Sequence, residues 1–363
     1  MYWGLRKLQT LNGVKLFVFD LHRLQSQRRQ ELGNMETSQR DELSSFLTVL
    51  PPVDFCCVYG STLHPNNQDK SKMVDYILGV SDPLQWHSEN LKMNSDHYAS
   101  WMVHLGGARL ITEVADKVGV GVHFNPFVSW NDRKLKYGVV RMNDLVQDIL
   151  DWNRFYLSGR LQKPVHLLVD NLDIEDVNSV NKRAAVSAAL LLLPSKFTEE
   201  DLYAKICSLS YMGDLRMLFA EDTNKVNKIV KGQFDLFQSM YKPFLEDCQT
   251  KNLLRFSSAE TNLVQDSSLS ASRSLVSSLP ASVRSQMGKL LGEKKILSET
   301  GRVSGEVCIG SREVAARCME KVMKRRVMVS SARQAVSGFL AAGAINATMY
   351  LSQKMRKAWN SRS

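Results

Sequence analysis

The feature that most constrains the fold is a short apolar run that ends in a glycine–serine turn. Val53–Tyr59 (VDFCCVY) is rich in β-branched and aromatic residues, and Gly60 and Ser61 follow it directly. Such a composition predicts a buried strand. A second apolar run, Met73–Val80 (MVDYILGV), carries Asp75. The sequence therefore predicts two neighbouring strands, with a Gly-Ser turn and a carboxylate close to one another in sequence.

Strand and helix patterns mix along the rest of the chain without a regular βαβ repeat. Further strands are predicted at 119–127, 135–140 and 164–169, and helices at 37–50, 96–118, 143–156, 180–193, 198–208 and 225–240. Pro243 marks the predicted end of the last helix. This mixture favours an α+β fold over a doubly wound sheet.

The positive charge is concentrated at the carboxyl end of the chain. The formal net charge is +10, but residues from 251 onward hold 19 Lys and Arg against 7 Asp and Glu, which leaves a net −2 for residues 1–250. A protein that tracks RNA needs a basic groove through its catalytic body. The nearly neutral body therefore argues against a nucleic-acid partner.

Composition and pattern divide the chain into five predicted regions. Residues 1–36 are basic with interleaved apolar residues, which suggests a mitochondrial targeting segment. Residues 37–162 hold the Gly-Ser turn and most of the strands, and residues 163–250 form a smaller, mainly helical unit. Residues 251–330 are serine-rich and basic, which predicts a flexible linker. The pattern of apolar residues in 331–360 predicts an amphipathic helix.

The predicted C-terminal helix has basic clusters on both sides. Lys324–Arg326 precedes it, and Lys354, Arg356 and Lys357 lie near its end. Its uncharged centre carries an apolar stripe at helical spacing. These features favour a helix that lies on an anionic membrane surface. A helix docked on the protein's own core is the alternative.

The Gly-Ser turn and Asp75 suit the chemistry of a nucleotide polyphosphate. A glycine lets a phosphate approach the backbone closely, and the N-terminus of a following helix attracts the anion. A carboxylate on the adjacent strand can hold a divalent metal against the same phosphates. Taken alone, the pattern also fits an ordinary β-turn beside an aspartate at a strand edge.

The pattern resembles the DNA-polymerase-β-like nucleotidyltransferase superfamily, in which the strand after the glycine–serine motif carries two acids one residue apart. Here Met73 stands where one of those acids is expected. More specifically, the chain resembles the mitochondrial translocator assembly and maintenance family of phosphatidate cytidylyltransferases. Five segments in order carry this resemblance: Tyr59-Gly60-Ser61, Val74–Ile77 with Trp86-His87, Lys136–Val139, Gly159–Pro164 and Leu209–Met217.

The resemblance implies that CTP reacts with phosphatidic acid in the presence of Mg²⁺ to give CDP-diacylglycerol and pyrophosphate. This reaction lies upstream of cardiolipin and phosphatidylglycerol. The resemblance also implies a peripheral location on the matrix side of the mitochondrial inner membrane, and a winged-helix-like second domain.

Roles follow for individual residues. Gly60 and Ser61 are expected to cradle the CTP phosphates, and Asp75 to bind the metal. Asp214 and Lys163 are candidate catalytic groups of the second domain. Further candidates for contacts to the triphosphate or the lipid phosphate are Lys92, His97, Lys136, Arg160 and Arg216.

Several neighbouring residues are assigned structural roles. Asp82 is expected to cap the turn before Pro83, and His87 and His123 lack metal-ligand partners at a suitable spacing. Trp86, Trp101 and Trp152 are expected in the core. Two other functions stay open at this point: nucleotidyl transfer to RNA, and a non-catalytic membrane-associated factor that maintains the protein-import machinery.

Overall fold

A computed structural model describes residues 39–60, 73–215, 224–257, 262–292 and 307–343. The predicted targeting segment, Ser61, Arg216 and the end of the predicted C-terminal helix lie outside these residues. Residues up to Val49 form a unit of their own, in which 39–45 are helical and Phe46–Val49 form a 3-10 helix. The prediction of a helix here is confirmed. Pro51 and Pro52 follow, and proline is disfavoured in the interior of a helix.

A five-stranded mixed sheet forms the centre of the remaining chain. Its strands are β1 (Phe55–Tyr59), β2 (Val74–Val80), β3 (Val122–Trp130), β4 (Arg133–Arg141) and β5 (His166–Asp170), in the spatial order β3-β4-β2-β1-β5. Only β2 and β4 run parallel to each other, and the other neighbours are antiparallel. The predicted strands are confirmed, and so is the α+β class.

The register of the sheet places three polar side chains in one row. Tyr59 of β1 pairs with Asp75 of β2, and Asp75 pairs with Lys136 of β4. Paired residues on adjacent strands project from the same face, while their sequence neighbours project from the opposite one. Tyr76 and Tyr137 therefore lie on the other face, where both are fully buried.

Helices cover both faces. On the face that buries Tyr137 lie α1 (Pro83–Met93), α2 (Ser100–Leu105), α3 (Gly107–Glu113) and a π-helical turn at Val114–Val118. On the face of Asp75 lie α4 (Met142–Asp151), the short α5 (Ser158–Leu161) and α6 (Ile174–Leu192). The single helix predicted at 96–118 is thus broken, and the break falls at Gly106 and Gly107, where Gly107 has a φ of +54°. Glycine adopts that conformation without the steric cost of a side chain.

The second domain combines helices with a small three-stranded sheet. After α6 come β6 (Lys196–Thr198), α7 (Glu199–Leu209), α8 (Lys225–Gly232), α9 (Phe234–Thr250), β7 (Leu254–Phe256) and β8 (Asn262–Gln265), with the sheet order β6-β8-β7. Thr198 caps α7 in a capping box with Asp201, as its sequence spacing suggests. The predicted helix end at Pro243 is wrong, because α9 continues to Thr250 with Pro243 inside it.

Strand pairing crosses the domain boundary predicted at residue 163. Strand β5 lies within residues 163–250 but pairs with β1 of the central sheet. The second domain extends past residue 250 to include β7 and β8.

The predicted linker at 251–330 is wrong for its described residues. It contains α10 (Leu269–Ser277) and α11 (Ala281–Leu290), whose Leu275, Val283 and Met287 are buried in the core. Serine does not make this segment flexible, because apolar residues recur between the serines at helical spacing and Ser268 caps α10.

The last described helix, α12 (Arg312–Ala342), begins well before the predicted start at residue 331. Its Met319, Val322 and Met323 belong to the core of the second domain. Further along, Ser337 is buried whereas Val336 and Phe339 are about half exposed. The helix is therefore docked on the protein as far as Ala342, through apolar residues in its first half and mainly through Ser330, Ser331, Gln334 and Ser337 in its second half, where part of the apolar stripe points outward. No helix of the described ranges is both long enough and apolar enough to span a bilayer.

Candidate active site

The site is built around the carboxylate of Asp75 at the start of β2. Gly60 directly follows β1 with a φ of +105°, a conformation that favours glycine. A Cβ placed on Gly60 would lie 3.3 Å from Asp75 Oδ2. The backbone of the turn therefore passes close over the carboxylate. A side chain at position 60 would crowd the space that a phosphate must share with Asp75.

Lys136 supplies the first positive charge of the site. Its Nζ lies 3.5 Å from Asp75 Oδ1 and 4.3 Å from the centre of the Phe124 ring. The side chains of Asp75 and Lys136 are 28% and 26% exposed. Both groups are thus held in place by neighbours and still reachable by a ligand.

Arg160 supplies a second positive charge on the same face. Its guanidinium carbon lies 3.7 Å from the centre of the Tyr156 ring and 5.5 Å from that of Tyr59. Burial raises the pKa of Tyr59 to about 12, and the negative charge of Asp75 adds to this while Lys136 and Arg160 oppose it. Tyr59 pairs with Asp75 across the strands, and Arg160 lies over its ring, so the ring links the carboxylate to the second cation.

A buried carboxylate positions the segment that carries Arg160. Asp148 of α4 accepts hydrogen bonds from five consecutive backbone N–H groups, those of residues 154–158, at 2.8 to 3.1 Å. The Ser158 hydroxyl donates a sixth at 3.2 Å. The loop thereby wraps around one anion, which fixes Tyr156 and the start of α5. Asp148 acts through this loop and does not touch the Asp75 site.

A second polar cluster lies between the end of α5 and the turn after α7. Lys163 Nζ donates to the Ser210 hydroxyl at 2.6 Å and to the Gly159 carbonyl at 2.9 Å, and lies 4.7 Å from the centre of the Tyr211 ring. Lys225 approaches the same ring at 5.2 Å. Lys163 therefore joins this segment to the turn after α7, and Arg160 in α5 and Lys163 just beyond it contact different neighbours.

Asp214 lies in the turn after α7 and is 2% exposed. Gly213 beside it has a φ of +80°, and a Cβ there would lie 2.7 Å from the Lys324 carbonyl oxygen of α12. The turn is therefore packed tightly against α12. The structure places Asp214 as a buried group, and a catalytic role for it stays a prediction.

Lys92 and His97 lie on the other side of the sheet from Asp75. His97 Nδ1 is 2.9 Å from the Tyr137 hydroxyl, and Tyr137 projects from the face opposite Lys136. Burial lowers the pKa of His97. Lys92 is exposed in the last turn of α1. The structure thus brings Gly60, Asp75, Lys136 and Arg160 together and leaves these two candidates apart.

The aspartate, histidines and tryptophans that were expected to be structural lie outside the candidate active site. Asp82 caps α1 by accepting from the Leu84 and Gln85 N–H groups at 2.9 and 3.3 Å. His87 and His123 are buried, and burial lowers the pKa of His87 well below its usual value and that of His123 to about 4. Trp86 and Trp152 are buried, whereas Trp101 is partly exposed and donates to the Leu340 carbonyl at 3.1 Å.

The donor set fits a magnesium ion that is shared with a polyphosphate. Among the described residues, no cluster of three or more His, Cys, Asp or Glu could hold a metal by itself. Mg²⁺ keeps several waters and often uses one or two carboxylates together with substrate phosphates. A single accessible carboxylate at Asp75, next to a turn that lacks a side chain, suits that mode of binding.

A carboxylate at the start of a central strand, with Lys136 and Arg160 on the same face of an α+β sheet, is the arrangement expected of a nucleotidyltransferase. A family model described as "Phosphatidate cytidylyltransferase, mitochondrial" matches residues 43–357. The chain belongs to this mitochondrial phosphatidate cytidylyltransferase family.

Curated relatives from distant animals carry the same description. A protein of Bos taurus is 33% identical over 311 residues, which cover 83% of this chain and 89% of its own length. One of Caenorhabditis elegans is 32% identical over 324 residues, covering 87% and 98%. One of Homo sapiens is 41% identical over 196 residues, covering 52% and 43%. Each is named "Phosphatidate cytidylyltransferase, mitochondrial".

Sequence reasoning assigned no role to Asp148, Tyr156 or Lys225. Asp148 was part of a predicted helix, and nothing in its spacing shows that the chain folds back over it. Tyr156 contacts Arg160, four residues later, because of how the loop around Asp148 folds, and Lys225 at the start of α8 approaches the Tyr211 ring. A single sequence carries no signal for such contacts.

Proposed function

We propose that this chain transfers the cytidylyl group of CTP to phosphatidic acid, giving CDP-diacylglycerol and pyrophosphate. The observation that carries the proposal is the Asp75 carboxylate, placed beneath the side-chain-free turn at Gly60 and flanked by Lys136. Membership in the family supports the choice of the two substrates.

The chemistry requires no nucleophilic side chain. An oxygen of the phosphatidate phosphate attacks the α-phosphorus of CTP, and the bond to the bridging oxygen of pyrophosphate breaks. The attacking phosphate is already ionised at neutral pH, so a strong general base is not needed. Catalysis then depends on positioning the two phosphates in line and on neutralising their charge.

The residues of this site divide the work. The backbone at Gly60, together with Ser61, is proposed to cradle the β- and γ-phosphates. Lys136 and Arg160 lie on the same face and oppose the charge that builds up around the reacting phosphates. Lys163, fixed between Gly159 and Ser210, is proposed to contact a substrate phosphate from the side of the second domain.

Mg²⁺ is proposed as the cofactor, held by Asp75 and the phosphates of CTP. When bound, it supplies charge neutralisation of the polyphosphate. In the structure, the Lys136 ammonium lies within ion-pair distance of Asp75 and neutralises part of its charge.

The site of action is proposed to be the matrix side of the mitochondrial inner membrane, with the protein bound peripherally. Phosphatidic acid lies in the bilayer, so the catalytic body must be held at the membrane surface. Lys354, Arg356 and Lys357 near the chain end are proposed to contribute attraction to anionic head groups, at about 1 kcal/mol each. The products would feed cardiolipin and phosphatidylglycerol synthesis.

The test is incubation of the purified full-length protein with labelled CTP, Mg²⁺ and vesicles that contain phosphatidic acid. Label that appears in the lipid phase supports the proposal, and an equal release of pyrophosphate completes its stoichiometry. Label in added RNA would instead identify an RNA nucleotidyltransferase, which the nearly neutral body disfavours. Absence of both products would favour a non-catalytic membrane factor.

A further inference from the structure

A basic cleft lies at the far end of the sheet from Asp75. It has a volume of about 500 Å³ and is lined by the loop after α4, by α11 and by α12, with Val120 on its wall. Val120 precedes β3, whose first residue, Val122, pairs with Val140. Val140 is four residues along β4 from Lys136, or roughly 13 Å. The basic cleft is therefore separate from the candidate active site.

The lining of the basic cleft is strongly cationic. Six of its side chains are positively charged: Arg154, Lys289, Lys321, Arg325, Arg326 and Arg333. None of the described lining residues is acidic. Apolar groups from Leu290 and Val329 also line it, and these are 43% and 47% exposed. A lining that combines several cations with exposed apolar groups suits a ligand that is both anionic and amphiphilic.

Hydrogen bonds to the backbone hold the walls of the basic cleft together. Arg326 Nη1 donates to the Trp152 carbonyl at 2.6 Å, and Arg333 Nε donates to the Val118 carbonyl at 3.0 Å. Gly121 has a φ of +76°, and a Cβ there would overlap the Arg154 guanidinium. These contacts fasten α12 to the first domain. Lys289, Lys321 and Arg325 are exposed at the opening.

The outer face of α12 extends from the basic cleft toward the C-terminal end of the helix. Lys321 and Arg325 lie on this face, followed by Met328, Val329, Val336 and Phe339, which are 44%, 47%, 54% and 50% exposed. At 1.5 Å per residue, the face from Lys321 to Phe339 is about 27 Å long. It is thus charged at one end and apolar at the other.

We propose that the basic cleft binds the head-group phosphate of an anionic phospholipid, with the apolar end of the α12 outer face inserted at the acyl boundary. Charge complementarity selects an anionic bilayer, and the exposed apolar residues separate this ligand from free phosphate. This site is distinct from the cations proposed near the chain end, and it does not depend on cytidylyl transfer.

The test measures binding of the full-length protein to vesicles of phosphatidylcholine with and without phosphatidylglycerol, in the absence of CTP. Lys321→Glu/Arg325→Glu reverses two charges at the basic cleft. Arg317→Glu/Lys324→Glu reverses two exposed charges of the same helix outside the cleft and serves as the matched control. We expect the cleft variant to lose binding to phosphatidylglycerol vesicles by about thirty-fold or more, and the control variant by at most a few-fold.

A second variant, Val336→Ser/Phe339→Ser, tests the apolar end of the face without changing charge. We expect it to weaken vesicle binding, with equal thermal unfolding midpoints for all variants. Equal losses in the two charge-reversal variants would overturn the proposal, because they would reflect net charge alone.

Displacement of vesicles by inorganic phosphate at constant ionic strength, or unchanged binding of the serine variant, would overturn the assignment to a lipid. Reversal of Lys354, Arg356 and Lys357 in parallel separates the contribution of the chain end.

Discussion

Asp75 and Lys136 face each other across the parallel strands β2 and β4, with Lys136 Nζ 3.5 Å from Asp75 Oδ1. The pair is partly exposed, so its contribution to stability is small, about 1 kcal/mol or less. Its importance lies in placement. Asp75 would hold the proposed metal, and Lys136 beside it would supply positive charge to the polyphosphate.

Asp75→Asn should reduce cytidylyl transfer to below about one tenth of the wild-type rate, because an amide cannot supply the negative ligand that a metal requires. Labelled CTP and phosphatidate vesicles provide the assay. Asp132→Asn makes the same chemical change at an exposed turn and should keep full activity. Retention of substantial activity by Asp75→Asn would remove Asp75 from the metal site.

Gly60→Ala should abolish most activity at a stability cost of about 1 to 2 kcal/mol. The new Cβ lies 3.3 Å from Asp75 Oδ2 and occupies space that the phosphates need. Gly292→Ala is the matched control, since Gly292 has a φ of +77° and no atom near a built Cβ. It should cost similar stability in urea unfolding and leave the rate unchanged. Equal activities of the two variants would show that position 60 tolerates a side chain.

Asp148→Asn should lower the free energy of unfolding by about 3 kcal/mol or more, because it removes a charged acceptor shared by six donors. The loop that positions Tyr156 and Arg160 should loosen, so the KM for CTP should rise in addition to the loss of stability. Asp151→Asn, three residues further along α4 and partly exposed, should change both quantities little. Unchanged kinetics in a destabilised Asp148→Asn protein would limit Asp148 to a structural role.

Truncation within α12 should destabilise the protein, whereas truncation just after α12 should not. Ending the chain after Ser331 removes the Arg333 hydrogen bonds, the buried Ser337 and the acceptor of Trp101. We expect a loss of about 3 kcal/mol or more in urea unfolding. Ending it after Gly343 removes none of these contacts and should leave the unfolding midpoint unchanged. Equal stability of the two truncated proteins would contradict the docking of α12.

Acidification should destabilise the protein through His123. Burial lowers the pKa of His123 from 6.5 to about 4. Between these two pH values, His123 is protonated in the unfolded chain but not in the folded chain. The resulting stability is fully present above pH 6.5 and falls as the pH drops toward 4, by about 3 kcal/mol in all. Unfolding free energies of wild type and His123→Leu at several pH values provide the check. The wild type should lose more than the variant, and parallel curves would contradict the shift.

Local chemistry made several features of the fold predictable. The β1 and β2 runs, the Thr198 cap and the Asp82 cap each depend on residues adjacent or nearly adjacent in sequence. Asp75 and Gly60 could be paired in advance because both flank the same predicted strand connection. The order of five motifs was also sufficient to indicate the family.

Features that depend on non-local packing could not be predicted in this way. Serine content alone predicts a linker around α10, whereas the burial of this helix depends on contacts with the core of the second domain. Pro243 predicts a helix end by its residue type, although α9 continues through it. Lys92 and His97 were grouped with the site by charge alone, and the sheet separates them from Asp75.

By itself the sequence determined the α+β class, the Gly-Ser turn, the Asp75 carboxylate and the concentration of positive charge after residue 250. These are properties of residue type and short-range spacing. Only the tertiary structure decided that Lys136 and Arg160 join Asp75, that Asp148 holds the loop before Arg160, and that the C-terminal cations form a cleft. Strand register and helix docking bring those groups together, and both are set by burial of side chains far apart in the chain.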